Sequence, residues 1–197
     1  MARLTPQNVE LAREIIARYP RTRSALIPLL HVAQEQDGWV TDDAMDHIAE
    51  LLKLTSAEVL GTCSFYEMFK REPVGKYVIN VCEGISCMLM GSDALVHHAE
   101  EKLGIKVGGT TDDGLITLNG VECIAACDGA PCLAVNYRYQ LDVSNAAFDD
   151  LVDDLRAGKL DGDVPPHGTT TRVRQKVDAD KWSGKGAEGL PKIWIQL

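Results

Sequence analysis

Over roughly the first seventy positions, apolar residues recur every three or four places, the spacing that buries one face of an α-helix. Val9, Ala12, Ile15 and Ile16 form the first stripe, with Thr5 as its cap and Pro6 in the first turn, where a missing N–H costs nothing. Tyr19-Pro20 ends it. A second helix carries Leu26, Leu29, Leu30 and Ala33 and breaks near Gly38. A third, capped by Thr41, places Met45, Ile48, Leu51 and Leu52 on one face. The fourth opens on Thr55-Ser56-Ala57-Glu58, a capping box in which Thr55 and Glu58 satisfy each other's free amides. These short amphipathic helices predict a small helical bundle over residues 1–70.

After Pro73 the pattern changes. Lys-Tyr-Val-Ile-Asn-Val (76–81) is β-rich and predicts a strand. A helix is expected over Ser92–Leu103, with Leu95, Val96, Ala99 and Leu103 as its buried stripe. A Gly/Thr/Asp turn at 108–114, a short strand over Leu115–Leu118 and a loop holding Cys123 and Cys127 come next. Two further strands fit Leu133–Asn136 and Tyr139–Val143. A helix capped by Ser144 then shows Phe148, Leu151, Val152 and Leu155 at i, i+3, i+4 and i+7. The order β-α-β-β-β-α over residues 71–160 predicts an α/β sandwich built on one small sheet. Residues 161–197 hold Pro165-Pro166, several glycines and a threonine run, too little apolar material for a core, and read as an extended tail.

Composition narrows the function classes. With 45% apolar and 25% charged residues the chain can bury a core. Its longest nearly unbroken apolar stretch, Ala25 to Leu30, is far short of the roughly 20 residues that cross a bilayer. A net charge of −9 argues against a nucleic-acid partner, since phosphate binding draws on cations. The segment 164–197 runs against that trend at about +3, and with Trp182, Ile193, Trp194 and Ile195 as apolar anchors it is expected to order on another surface. The N-terminus shows neither a secretory leader nor a transit peptide, so a reducing compartment is expected.

That compartment matters for the six cysteines, because clustered cytosolic thiols bind metal more often than they form disulfides. Cys82 and Cys87 are separated by four residues and Cys123 and Cys127 by three. Each pair follows an apolar strand in sequence rich in small residues, so two loops at neighbouring strand ends would bring four thiols to one point. No histidine stands beside either pair, and His97-His98 fall on a solvated helix face. The absence of C-x-x-C counts against thioredoxin-like dithiol exchange. Spacing alone leaves three readings open: an iron–sulfur cluster, a zinc site, or thiols without a metal. Cys63 and Cys132 fit core positions, Cys132 within the alternation of a strand.

Val-Cys-Glu-Gly-Ile-Ser-Cys (81–87) and Glu-Cys-Ile-Ala-Ala-Cys-Asp-Gly-Ala-Pro-Cys-Leu-Ala-Val-Asn (122–136) resemble the two ligand motifs of a known family, the thioredoxin-like [2Fe–2S] component (in bacteria, the E subunit) of respiratory complex I, NADH:quinone oxidoreductase. Phe65–Phe69, Arg71–Lys76 and Gly109–Gly114 are similar to further stretches of that family, and the likeness spans roughly residues 5–160. It implies an α+β protein: an N-terminal small helical bundle followed by a thioredoxin-like [2Fe–2S] ferredoxin domain.

The resemblance further implies Cys82, Cys87, Cys123 and Cys127 as ligands of a [2Fe–2S] cluster, one pair per iron, and no catalytic residue for hydride transfer. The chain itself has no G-x-G-x-x-G or Walker loop, and the resemblance implies the missing partner, a flavin subunit that binds NADH and FMN, with the large iron–sulfur subunit as a second neighbour. The protein would then sit peripherally on the cytoplasmic face of a bacterial inner membrane, holding one electron at a time. Gly84 and Gly129 would let backbone N–H groups reach the sulfurs, while Asp128, Glu83 and Glu122 would oppose reduction. Two alternatives stand beside this: the equivalent component of an NAD-linked hydrogenase or formate dehydrogenase, and a zinc-stabilised interaction module without redox chemistry.

Overall fold

The computed structural model describes residues 3–164. Helices α1 (Pro6–Ile16), α2 (Leu26–Asp37), α3 (Asp42–Leu52) and α4 (Ser56–Phe65) come first, with a 3-10 turn at Thr22–Ala25 leading into α2. Local chemistry sets their ends. The Thr5 hydroxyl accepts from the Asn8 N–H, Thr41 from that of Ala44, and Thr55 and Glu58 close the expected capping box. Gly38 ends α2 at φ 78°, a backbone state that costs glycine nothing. The predicted stripes supply one apolar cluster, in which Ala12, Ile15, Leu26, Leu29, Leu30, Met45, Ile48 and Leu52 are all buried, and α4 adds Val59.

One polar residue inside this cluster ties the helices to the chain that leaves them. Gln34 is buried; its Nε2 donates to the Met68 carbonyl at 2.8 Å and its Oε1 accepts from the Lys70 N–H at 2.7 Å. His31 and Phe69 rings pack alongside, with centroids 4.8 Å apart. Gln34→Ala leaves the partly buried Met68 carbonyl and Lys70 N–H without this partner and is expected to cost about 1–2 kcal/mol. A lowered urea midpoint with an unchanged m-value is the expected readout.

The second half is built on a four-stranded sheet whose strands lie in the spatial order 116–121, 77–82, 133–135, 138–140. Strands β1 (Tyr77–Cys82) and β2 (Ile116–Val121) are parallel, joined through α5 (Ile85–Leu89) and α6 (Ser92–Leu103). Strand β3 (Leu133–Val135) runs antiparallel to β1 and pairs in a hairpin with β4 (Arg138–Gln140), after which α7 (Asn145–Arg156) packs back. Alternation along the strands sorts the two faces. Tyr77, Ile79 and Val81 join Ile116, Leu118, Leu133 and Val135 against Leu95, Ala99 and Leu103 of α6 and Phe148, Val152 and Leu155 of α7. At the hairpin, Asn136 and Tyr137 both take positive φ, and the Asn136 side chain bonds the Val78 N–H and the Lys76 carbonyl, continuing the pairing past the end of β3.

The helix over Ser92–Leu103 and the Ser144 cap match the pattern in the sequence, and the strands do so to within a few residues. The last predicted strand, Tyr139–Val143, is shorter and displaced, because pairing with the three-residue β3 limits β4 to the same length. Helix α5 has no counterpart among the predicted elements: five residues are too few for a helical period to declare itself. Residues 161–164 hold to the sheet domain: Asp161 accepts from Lys76 and from the Tyr77 hydroxyl, and Val164 is buried in the second cluster. The rest of the expected tail, with Trp182 and Trp194, lies outside the described residues. His98 bonds Asp149 across α6 and α7 at 2.9 Å, and His97 is exposed.

Candidate metal centre

Parallel pairing places the ends of β1 and β2 side by side, with Cys82 opposite Val121. The chain leaves β1 through Glu83 and Gly84, and β2 through Glu122 and Cys123, so the two cysteine segments start as neighbours. Glu83 N–H donates to the Val121 carbonyl at 2.8 Å. Gly84 is where the segments touch: a Cβ there would stand 2.8 Å from the Glu122 carbonyl oxygen, 3.5 Å from Cys82 Sγ and 3.7 Å from Cys123 Cβ. Only hydrogen fits between them.

The sequence places both pairs in loops; the structure differs. Cys82 is the last residue of β1 and Cys87 lies on α5. Cys87 is the third residue of α5, so the first turn of that helix returns its sulfur to the strand end. Cys127 opens a 3-10 turn, Cys127–Gly129. On the other side of β1, the Cys82 N–H donates to the Cys132 carbonyl at 3.1 Å, extending the β1–β3 ladder by one step.

Three sulfurs gather closely here. Those of Cys82, Cys87 and Cys132 lie within 4.8 Å of one another, all three residues are buried, and Cys87 Sγ and Cys132 Sγ are 3.5 Å apart. Cys123 and Cys127 are exposed and stand outside this tight group. Cys123 Sγ accepts the Ala125 N–H at 3.3 Å, with Ala125 held at φ 59°. The structure thus joins the expected Cys82 and Cys87, adds Cys132, sets the Cys123 backbone segment against Gly84, and leaves the sulfurs of Cys123 and Cys127 outside the group. Cys132 has the full burial of a core residue, but its contact with Cys87 depends on strand pairing that no local pattern reveals.

The surroundings treat these thiols unequally. Burial acts to raise the Cys82 thiol, but backbone N–H groups of Ile124 and Gly84 and the neighbouring thiols outweigh it, and the net direction is down. Cys87 is pushed up by burial, reinforced by Cys82. Burial pushes Cys132 up strongly, with Cys87 adding to it. Cys63, in the helical core, is raised to about 11 by burial, with Arg71 in partial opposition. Gly84 performs the role expected of it. Gly129 does not: its N–H goes to the Ala126 carbonyl at 3.2 Å and its open face meets Leu141. The Glu83 carboxylate lies against Gly120. Soft sulfur donors, a backbone that stabilises thiolate at Cys82, and no His, Asp or Glu in the tight group among the described residues fit a thiolate-bound metal.

The family model for the thioredoxin-like [2Fe–2S] ferredoxin matches residues 12–156. The chain belongs to that family. Among relatives of this ferredoxin, the E subunit of the NADH-quinone oxidoreductase of Mycobacterium bovis is 44% identical over 190 residues, covering 92% of this chain and 75% of the relative. The E 2 subunit of the NADH-quinone oxidoreductase of Rhizobium meliloti is 39% identical over 143 residues, covering 73% and 85%. The ferredoxin also resembles a solved NAD+-reducing [NiFe]-hydrogenase in its H2-reduced state, with a TM-score of 0.60 and 25% identity. That likeness covers 68% of this chain and 22% of the hydrogenase chain. No helix among the described residues is long and apolar enough to cross a membrane.

Proposed function

We propose that this ferredoxin is the electron-transfer iron–sulfur subunit of an NADH:quinone oxidoreductase, with a [2Fe–2S] cluster held by Cys82, Cys87, Cys123 and Cys127, one pair per iron. The observation that supports the reading is the contact of the two cysteine segments across Gly84, where Cys82 Sγ and Cys123 Cβ both border the space a side chain would fill. The names of the relatives point to the same complex. When bound, such a cluster supplies a one-electron donor and acceptor. This chain's own part is to present thiolates and to stabilise their charge: the Gly84 and Ile124 N–H groups face Cys82, and burial of Cys82 and Cys87 keeps water from their sulfurs.

The chain carries no dinucleotide fingerprint, so NADH and FMN are assigned to a flavin subunit, with the large iron–sulfur subunit as a further neighbour. An apolar surface supports such a partner. Ile85 and Leu89 on α5, which also bears Cys87, are 72% and 76% exposed. In this reading the bundle over residues 1–70 is a brace or docking surface for the domain over 71–160, and the assembly lies on the cytoplasmic face of a bacterial inner membrane. The hydrogenase likeness favours one second reading, the corresponding component of an NAD-linked hydrogenase.

The test is metal analysis of the full-length chain purified without oxygen. A red-brown protein with about two irons and two sulfides per chain is expected. A colourless protein with stoichiometric zinc would overturn the reading. Co-purification with a flavin subunit or with a hydrogenase then separates the two oxidoreductases.

A further inference from the structure

Cys132 is a buried thiol that the proposed ligand set does not use, yet it sits 3.5 Å from one member of that set. A disulfide needs its sulfurs at about 2.05 Å, so this pair has roughly 1.5 Å to close, a movement within reach of side-chain rotation and a slight shift of α5. The neighbouring thiols are directed differently. Cys82 Sγ leans toward the second segment, 4.0 Å from the Glu122 carbonyl and met by the Ile124 and Gly84 N–H groups. Cys82 Sγ also lies within 4.8 Å of both other sulfurs, but Cys87 and Cys132 make a direct contact at 3.5 Å.

We infer that Cys87 and Cys132 form a reversible disulfide in the cluster-free chain, with hydrogen peroxide as the oxidant, and that this bond closes the site to iron. The second half rests on the cluster reading above; the first half does not. One thiol takes an oxygen from peroxide, breaking the O–O bond and releasing water, to give a sulfenic acid. The other sulfur attacks it, the S–S bond forms, the S–O bond breaks and a second water leaves. Each sulfur gives up one electron, and the two electrons reduce one peroxide to two waters. Either sulfur can be oxidised first, because the other is the same 3.5 Å away. Once tied to Cys132, Cys87 no longer offers a thiolate, and a dithiol reductant restores it. The bond would also fasten α5 to the residue just before β3, holding the apolar helix in place while the centre is empty.

The experiment uses the full-length chain, stripped of iron by a chelator and reduced without oxygen. One portion receives equimolar hydrogen peroxide; all are alkylated and digested without reductant. Cleavage at Glu83 separates Cys82 from Cys87, and cleavage at Asp128 separates Cys127 from Cys132, so the linkages among Cys82, Cys87 and Cys132 each have their own mass. A Cys87–Cys132 peptide pair is expected after peroxide and not before. Cys132 alkylated throughout, or a bridge only between Cys82 and Cys87 or between Cys123 and Cys127, would overturn the inference. Iron and sulfide are then offered to each portion. Cluster uptake, read by absorbance, is expected to fall at least about fivefold in the oxidised chain and to return with dithiothreitol, because a disulfide sulfur is not a ligand. Cys132→Ala is expected to keep its uptake after peroxide. If the reduced, untreated chain takes up no cluster, the cluster reading fails while the disulfide map still stands or falls on its own.

Discussion

Cys123→Ser is expected to abolish the cluster. Loss of a supporting contact already weakens a metal site by roughly ten- to a hundredfold, and a missing thiolate removes a bond to iron itself, so at least a tenfold drop in bound iron is expected. Cys123 is the informative choice because it is exposed: serine there disturbs no packing, and the fold is expected to melt unchanged. Iron content and the absorbance of the reconstituted chain check the first outcome, and far-ultraviolet dichroism checks the second. Cys127→Ser is expected to behave in the same way. Cys132→Ser is expected to keep the cluster and to lose stability instead, since it puts a hydroxyl into a buried position. Retention of iron in Cys127→Ser together with its loss in Cys132→Ser would move the fourth ligand to Cys132.

Gly84→Ala is the second large effect expected. The added methyl would stand 2.8 Å from the Glu122 carbonyl oxygen, a backbone atom that cannot swing aside, and within 3.7 Å of Cys123 Cβ. Relieving that contact moves the two cysteine segments apart, with a cost of roughly 1–3 kcal/mol in stability. It should also carry a larger loss in cluster occupancy, since ligand geometry is spoiled at both segments together. Gly61→Ala is the control. Gly61 lies within α4 with nothing near its missing side chain, and alanine there is expected to stabilise by about 0.5–1 kcal/mol with no change in iron. Thermal melts and iron assays of the two variants in parallel separate a general glycine effect from closure of the site.

Much of this protein is legible without coordinates because its signals are local. The Thr55–Glu58 capping box, the Thr5, Thr41 and Ser144 caps and the helix over Ser92–Leu103 each depend on residues within one or two turns. The cysteine motifs are equally plain, since their spacing is a property of the chain. Gln34 shows where such reading stops. A glutamine on the apolar side of a helix has no local reason to be there, and its partners Met68 and Lys70 are more than thirty residues away.

What the amino-acid order determines here is the identity of the thiols, the helical and extended segments that carry them, and the small residues beside them. Tertiary structure decides which sulfurs meet. Parallel pairing of β1 with β2 brings the Cys123 segment to Gly84, whereas antiparallel pairing of β1 with β3 brings Cys132 beneath Cys87. Strand order depends on how two apolar faces bury one another across the whole domain, so no stretch of sequence contains it.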